Sequence, residues 1–401
     1  MERKKVVLAY SGGLDTSYCV KYLTEDKKLD VYTVTVNLGG FEPKELDDIE
    51  KSAYEIGAVK HYLVDGRKEF YGECIKYMIF GNILRNNIYP LSVGSERVFQ
   101  AKIIAAKVKE IGAHYVAHGS TGAGNDQVRF DLVFHLLIPG IEILTPIRDL
   151  RLSRQDEIEY LKKHNIKREW SKAKYSINKG IWGTSVGGEE TKKSDKFLPG
   201  TAFPTQPTTD TIEDLNIIFD KGEVTGFNER KFKNSMEALE ALEKHIAPFA
   251  LGRDIHVGDT IIGIKGRIGF EAGLPLLVIR AHHLLEMHTL TKWQIYWKNQ
   301  LAEWYGLMVH EGQFLYPVMR NIEGFLQDTQ KYVTGKVICR LAPYRFQVLG
   351  VSSPHDLMSS DFGEYGEMNL AWSGDDVKGF TRIQAIPIMN YLKVNKIDEP
   401  I

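Results

Sequence analysis

The chain has few cysteines, almost no net charge and no long apolar run, and each shortage excludes a class of protein. Only three of its 401 residues are cysteines, Cys19, Cys74 and Cys339, and none stands in a C-x-x-C pair. That set predicts neither a disulfide framework nor a cysteine metal cage, and it is typical of reduced thiols in the cytoplasm. The formal net charge of −1 gives no electrostatic argument for nucleic acid or a membrane surface as partner. No apolar stretch approaches the roughly 20 residues of a membrane-spanning helix.

Two common phosphate-binding patterns are also missing, but a different small-residue loop is present. The chain has neither a Walker A sequence nor G-x-G-x-x-G near its start. Instead, SGGLDTS at 11–17 directly follows the apolar run VVLAY at 6–10 and precedes a helical pattern. Its two glycines allow close backbone approach to an anion, and Ser11, Thr16 and Ser17 add hydroxyl donors. The loop predicts a phosphate site at the carboxyl end of a strand, and the alternative is an ordinary capped Gly-Gly turn.

The chain changes its pattern near residue 170, which predicts two domains of different architecture. Before that point strands and helices alternate, as in a parallel sheet covered on both faces. The predicted strands are 31–37, 60–65, 114–118 and 141–147, and the predicted helices are 43–56, 96–111 and 153–164. Later, short glycine-punctuated strands are predicted over 254–279, helices over 288–305 and 315–332, and strands over 333–341 and 345–351. This order predicts an α+β second domain, and the partly apolar tail from 376 is expected to pack on a neighbouring subunit.

A second small-residue loop, at 119–129, follows the fourth predicted strand. Ligands of open α/β sheets bind outside the carboxyl ends of the strands, so this loop is expected to face the first one. Thr121, Asn125, Asp126 and Arg129 offer both charges and neutral donors, a set that suits a zwitterionic amino acid. The alternative is a surface loop in which Asp126 and Arg129 merely pair with each other at i, i+3.

With both loops in view, the chain resembles the argininosuccinate synthase family. AYSGGLDTS at 9–17 is similar to the ATP-pyrophosphatase loop of that family, and AHGSTGAGNDQVRF at 117–130 is similar to its aspartate and citrulline signature. The resemblance implies a five-stranded parallel, doubly wound nucleotide-binding domain at 1–168, an α+β synthetase domain at 169–365 and a C-terminal oligomerisation arm at 366–401. It also implies a homotetramer that joins L-citrulline to L-aspartate with ATP and Mg²⁺ through a citrullyl-AMP intermediate.

The resemblance further implies which residues bind each substrate, and no nucleophilic side chain is among them. ATP is assigned to Ala9, Tyr10, Ser11, Gly12, Gly13, Leu14, Asp15, Thr16, Ser17, Val36 and Gly119. Aspartate is assigned to Thr121, Asn125 and Asp126, and citrulline to Tyr89, Gly94, Asn125, Arg129, Ser176, Ser185, Gly258 and Phe270. Asp15, Asp126 and Arg129 form the expected catalytic set, and Asp15 is also the candidate magnesium partner.

Three of the citrulline positions depart from the family pattern. Gly94 stands where a small hydroxyl residue is usual, Gly258 where a glutamate near the citrulline α-amino group is expected, and Phe270 where a tyrosine is expected. Loss of such a charge-assisted hydrogen bond would weaken citrulline binding by ~10–100-fold unless it is replaced. Asp259 and Glu271, each one position along, are the alternatives for that role. A second interpretation is that the acceptor carries an acylated, uncharged α-nitrogen.

Three other functions fit the sequence less well. A tRNA-modifying ATP-pyrophosphatase is expected to have paired cysteines and a basic face, and a glutamine-dependent synthetase needs a glutaminase part with a cysteine nucleophile. A non-catalytic nucleotide sensor would not need the second loop or a second domain of about 200 residues.

Overall fold

A computed structural model describes residues 3–166, 168, 170, 175–358, 363, 365–367 and 371–397. Residue 169, at the predicted domain boundary, lies outside these residues. By their contacts the residues group into two compact units, Met1–His355 and Asp356–Ile401, so the boundary predicted near 168 stays a prediction. Within the described residues, no helix is both long and apolar enough to span a bilayer.

The first part of the chain forms a five-stranded parallel sheet with the strand order β3-β2-β1-β4-β5. Its strands are β1 Lys5–Ala9, β2 Asp30–Asn37, β3 Lys60–Asp65, β4 Tyr115–Ala117 and β5 Glu142–Leu144. The helices around it are α1 Leu14–Glu25, α2 Pro43–Ile56, α3 Arg67–Phe70, α4 Lys76–Phe80, α5 Ser92–Ile111, α6 Asp126–Leu137, α7 Pro146–Asp149 and α8 Arg154–Lys163, with a π-helical turn at Tyr71–Ile75 between α3 and α4. The strand order reverses between β1 and β4, which is where such sheets bind ligands.

Both faces of this sheet are buried, as its β-branched strands predict. On β1, Val7 belongs to the apolar core on one face, whereas Val6 and Leu8 belong to the core on the other. Helix α2 has the predicted bounds because Pro43 occupies its first turn and Gly57 ends it with a positive φ of 122°. Ser153 caps α8 by accepting a hydrogen bond from the Asp156 amide at 3.2 Å.

The rest of the first unit contains two antiparallel sheets and a layer of helices. One sheet has the order β10-β9-β8-β13-β14 and the other has the order β11-β12-β7-β6. The strands are β6 Ser176–Asn178, β7 Thr184–Gly187, β8 Glu213–Asp220, β9 Glu223–Phe227, β10 Arg230–Lys231, β11 Arg253–Asp259, β12 Lys265–Glu271, β13 Gly335–Ala342 and β14 Arg345–Ser352. The helices are α9 Ser235–Ile246, α10 Gly273–Thr289, α11 Lys292–His310 and α12 Pro317–Thr329. One apolar core runs from the parallel sheet through α5 into α10, α12 and β13.

The second unit contains one long helix, α13 Gly374–Val394. Asp375 and Asp376 lie in its first turn, and the Ser373 hydroxyl accepts a hydrogen bond from the Asp376 amide at 3.3 Å. Its apolar side chains, among them Phe380, Ile383 and Ile388, are exposed in this chain.

Several elements of the second part differ from the sequence predictions. The expectation of strands throughout 254–279 is wrong after Glu271, because Gly273 begins the buried helix α10. The helix predicted over 288–305 is two helices, and Thr291 begins the second with a capping box to Gln294. Strands β8 and β9 and helix α9 were not predicted.

Candidate active site

The first loop joins β1 to α1, and a glycine fixes its shape. Gly12 has a φ of +74°, and a Cβ there would lie only 2.9 Å from Cγ1 of Ile49. A residue with a side chain would therefore meet both a backbone penalty and a steric one. Gly13 precedes the first turn of α1, so the amide groups of that turn and the loop face the same space beyond the strand.

The hydroxyl groups of this loop are only weakly bonded within the chain. Ser11 Oγ and Thr16 Oγ1 lie 3.3 Å apart, and the Gly13 amide donates to Ser11 Oγ at 3.4 Å. Ser17 Oγ is buried and has no hydrogen-bond partner. A buried polar group without a partner costs free energy, so these groups are suited to a ligand with acceptor oxygens.

A carboxyl pair lies beside the loop. Burial, followed by the nearby Asp15 carboxylate, raises the pKa of Glu157 to about 8. Glu157 is buried on α8, so its carboxyl group is mostly protonated at neutral pH. No cluster of three or more His, Cys, Asp or Glu side chains suited to a metal occurs in the described residues. Asp15 still fits Mg²⁺, which usually takes one or two carboxylates together with substrate phosphates and waters.

The two loops predicted from the sequence meet in the structure. β1 and β4 are neighbours, and a Cβ at Gly119 would lie 3.2 Å from Cγ2 of Thr16 and 3.3 Å from its backbone nitrogen. Val36, near the end of β2, is buried. The Tyr10 side chain is buried, and its hydroxyl lies 2.9 Å from Ser52 Oγ.

The second loop is attached to both halves of the first unit. Its Asn125 Oδ1 accepts a hydrogen bond from the Ile261 amide, in the β11–β12 hairpin, at 2.9 Å. Behind it, His118 Nδ1 accepts from the Ser120 amide at 3.2 Å while His118 Nε2 lies 2.9 Å from Asp131 Oδ1. Thr121 is exposed at the tip of the loop, where it can contact a ligand.

Asp126 lies between two arginines. Its carboxylate receives hydrogen bonds from Arg97 Nε at 2.9 Å and from Arg129 Nη1 at 3.0 Å. Burial opposes ionisation of Asp126, but the two guanidinium groups outweigh it and lower its pKa. The Asp126–Arg129 pair of the alternative interpretation is thus present, and Arg97 extends it into a network between α5 and α6.

Arg129 is buried, and two bonds to the main chain hold its guanidinium in place. Its Nε and Nη2 donate to the His310 carbonyl at 3.0 and 2.8 Å. Position 94 faces this guanidinium, because a Cβ at Gly94 would lie 3.1 Å from Nη2. With glycine at position 94 no side chain from that position touches the guanidinium, whereas a hydroxyl residue there would.

An aromatic cluster lies next to this arginine and unites most of the predicted citrulline residues. Tyr89 stacks on His256 with ring centroids 4.7 Å apart and packs at 5.2 Å against Phe270. Phe270 pairs across the sheet with Ser185, which is buried. Burial raises the pKa of Tyr89 to about 12. Ser176 is separate from this group, because it lies exposed on the edge strand β6 opposite Gly187.

The surroundings of Gly258 are basic. A Cβ there would lie 2.8 Å from His256 Nε2 and 3.7 Å from Arg85 Nε. The two carboxylates considered as substitutes for the missing glutamate already have partners, since Asp259 pairs with Lys265 at 2.7 Å and Glu271 with Arg253 at 2.9 Å.

Sequence reasoning did not assign roles to several residues that build this site, namely Arg85, Glu96, Arg97, Glu157, His256 and His310. Most reach it from distant parts of the chain. Glu96 and Arg97 are neighbours on α5, and Glu96 is the residue of this set that the local sequence could have indicated. It is buried against Gly180, and burial raises its pKa to about 8. An acidic residue inside an otherwise buried helical stretch was the available signal.

Comparison with known proteins agrees with the geometry. Residues 5–167 match the family model described as arginosuccinate synthase N-terminal HUP domain, and residues 175–391 match the arginosuccinate synthase C-terminal domain. The argininosuccinate synthase of Dictyoglomus thermophilum is 36% identical over 399 residues, covering 98% of each chain. That of Methanocaldococcus jannaschii is 33% identical over 389 residues, covering 96% of this chain and 97% of the other.

The similarity of this chain to a solved structure is much weaker than its similarity to these relatives. The U34-tRNA thiolase NcsA from Methanococcus maripaludis, with its [4Fe-4S] cluster, is 16% identical with a TM-score of 0.30. The match covers 43% of this chain and 61% of that one, and nothing about function follows from it. Two matched domains and relatives that cover nearly the whole length decide the matter: this chain belongs to the argininosuccinate synthase family.

Proposed function

We propose that the protein is a carbon–nitrogen ligase that uses ATP to join the ureido group of L-citrulline, or of a citrulline derivative, to L-aspartate. The products are argininosuccinate or its derivative, AMP and diphosphate, as in arginine biosynthesis. The observation that carries the proposal is the contact between the two loops at the strand-order reversal, where Gly119 lies against Thr16. A triphosphate held by one loop would thereby lie beside amino acids held by the other.

The first loop supplies the anion site of this reaction. Backbone amides at 11–17 and the amino end of α1 would hold the diphosphate part of ATP, and the unpartnered Ser17 hydroxyl is available to it. Ala9, Val36 and Gly119 would contact the adenosine part. Mg²⁺, when bound with ATP, would neutralise phosphate charge, and Asp15 is the carboxylate placed to hold it.

The chemistry needs positioning and charge neutralisation rather than a nucleophilic side chain. The ureido oxygen attacks the α-phosphate and diphosphate leaves, which gives a citrullyl-AMP. The aspartate amine then displaces AMP from the ureido carbon. Asp126 would hold the aspartate ammonium before this step, with Thr121 and Asn125 on its carboxylates, and Arg129 would bind the α-carboxylate of the acceptor.

The test is product analysis with the full-length protein. Continuous release of AMP and diphosphate is expected only when ATP, a citrulline-type acceptor and aspartate are all present. Adenylate formation, measured as exchange of labelled diphosphate into ATP, is expected with the acceptor alone. Release of ADP, or nucleotide binding without turnover under every condition, would contradict the proposal.

Two further properties are inferred together with this function, namely the oligomeric state and the location in the cell. We infer a homotetramer, supported by the exposed apolar side chains of α13, and light scattering of the intact protein should give four times the chain mass of 45.6 kDa. Ile383→Glu is expected to lower that mass. We infer a cytoplasmic location, supported by the three buried free cysteines.

A further inference from the structure

A group of buried nitrogen atoms beside Gly258 has no hydrogen-bond partner. Nε and Nη1 of Arg85 and Nδ1 of His256 are buried and unpartnered, and Arg85 Nη2 makes a long bond of 3.3 Å to the Asp259 carbonyl. Buried polar atoms are almost always satisfied by protein, water or a ligand. A guanidinium with two vacant donors is therefore a binding edge for an acceptor-rich group.

Arg85 is the charged member of this group. Burial, followed by the Arg85 charge, lowers the pKa of His256 to about 4. Burial, followed by Arg129 and Arg85, lowers the pKa of His310 to about 3. Both histidines are consequently neutral near pH 7, and Arg129 shares the Asp126 carboxylate with Arg97. Arg85 is the guanidinium here whose Nε and Nη1 have no hydrogen-bonded anion.

The nearby carboxylates do not hydrogen-bond to Nε or Nη1 of Arg85. Asp259 is paired with Lys265, and Glu271 with Arg253. Glu311 is close enough to influence Arg85, but it makes no hydrogen bond to the buried Nε or Nη1. Glu96 faces Gly180 instead. An ammonium group placed beside Nε and Nη1 of Arg85 would meet a guanidinium edge to which no carboxylate is hydrogen-bonded.

We propose that the acceptor is citrulline acylated on its α-nitrogen by a dicarboxylic acid, whose terminal carboxylate pairs with Arg85. This inference rests on the ligase function proposed above. An amide nitrogen carries no charge, which removes the repulsion between an α-ammonium and Arg85. Gly258 keeps a side chain away from the Nε edge of Arg85, because a Cβ at that position would lie 2.8 Å from His256 Nε2 and 3.7 Å from Arg85 Nε. A terminal carboxylate supplies two acceptors in the geometry that a guanidinium edge prefers.

Four acceptors separate the parts of this proposal in the wild-type protein. They are citrulline, N-acetylcitrulline, N-succinylcitrulline and the amide analogue N-succinamylcitrulline, each tested for AMP release with ATP and aspartate. The value of kcat/KM for N-succinylcitrulline should exceed that for its uncharged amide analogue by about 30-fold or more, and citrulline should be the poorest. Preference for free citrulline would overturn the proposal. Equal rates with the acid and its amide would overturn the role of the terminal carboxylate.

Arg85→Gln tests the residue itself, with Arg345→Gln on the exposed face of β14 as the matched control. Arg85→Gln should lower kcat/KM for N-succinylcitrulline by about 30–100-fold and change that for N-acetylcitrulline by less than threefold. An equal loss with both acceptors would mean that Arg85 binds the α-carboxylate, contrary to the proposal. If the variant does not fold, the wild-type comparison of acid and amide decides alone. No AMP with any acceptor would instead refute the ligase function.

Discussion

The nucleotide end and the acceptor end of the site are built in different ways. The nucleotide end is one continuous loop whose shape follows from its own glycines and from the helix that begins after it. The acceptor end combines the segment of Arg85 and Tyr89 with Arg129 of α6, His256 of β11 and Phe270 of β12. A ligand shared by every member of a superfamily can be held by a contiguous motif, whereas the part that selects the substrate is assembled by the tertiary fold. The predictions that follow test this difference from the largest expected effect to the smallest.

Asp126→Asn should have the largest effect, because Asp126 lies where the two ends meet. It removes the carboxylate proposed for the aspartate ammonium and leaves Arg97 and Arg129 without their shared anion. We expect kcat/KM for aspartate to fall by about 10³-fold, from loss of a charge-assisted bond in a buried site.

The measurement that separates this effect from misfolding is acceptor-dependent exchange of diphosphate into ATP without aspartate. It should persist in Asp126→Asn at a tenth of the wild-type rate or more. Asp149→Asn, whose side chain is 59% exposed, is the control and should leave both activities unchanged. Loss of the exchange together with the ligation would contradict the assignment of Asp126 to aspartate.

Glu96→Gln tests the acceptor end through stability. A carboxyl whose folded pKa is raised stabilises the fold below its unfolded pKa near 4.5, and that contribution is lost as the pH rises toward about 8. The difference is about 3 kcal/mol at pH 7, as an upper figure. Denaturant unfolding of the wild type should therefore weaken from pH 5 to 8, whereas Glu96→Gln should show a flatter profile. The exposed Glu110→Gln should follow the wild type, and parallel profiles for all three would refute the buried ionisation.

Gly12→Ala should damage the nucleotide end alone. The positive φ at Gly12 costs a residue with a Cβ about 1–2 kcal/mol, and the contact with Ile49 adds to it. We expect KM for ATP to rise by about 10–30-fold with little change in KM for the acceptor. Gly124→Ala is the matched control in the second loop, where a Cβ would have no atom within 4 Å. Equal effects of Gly12→Ala and Gly124→Ala on KM for ATP would contradict the proposed difference between the nucleotide end and the acceptor end.

Asp259→Asn should have the smallest effect. Its side chain is 65% exposed and bonded to Lys265, so we expect kcat/KM for any citrulline-type acceptor to change by less than twofold. Steady-state kinetics with citrulline is the direct measurement. A tenfold loss of kcat/KM with free citrulline, but not with acylated acceptors, would show that Asp259 binds an ammonium group. The acceptor end would then bind a cationic group through a carboxylate.

The same difference between local and long-range construction explains which parts of the structure could be predicted from the sequence. The bounds of α2 and β3 and the Ser153 cap were predicted because proline, glycine and serine act on neighbouring backbone. The contact of Gly119 with Thr16 was predictable from the parallel alternation, since it places both loops at one edge of the sheet.

Other parts depended on contacts far apart in the chain. Helix α10 was misread as strands because it is apolar on most sides and therefore lacks a helical stripe. The partners of Asp259 and Glu271 could not be inferred from position, since Arg253 reaches Glu271 through the pairing of β11 with β12. The helical spacing of Trp293, Trp297 and Trp304 on α11 is typical of either a core face or a subunit interface, and all three side chains are exposed in this chain.

The bond between the Ile261 amide and Asn125 has a practical consequence. If aspartate takes the Asn125 side chain as its partner, the amide of a remote hairpin loses its acceptor and becomes accessible to solvent. Hydrogen–deuterium exchange at that one position would then quicken as the amino acid binds. The exchange rate at the Ile261 amide would then report the fraction of sites that hold aspartate, without any turnover.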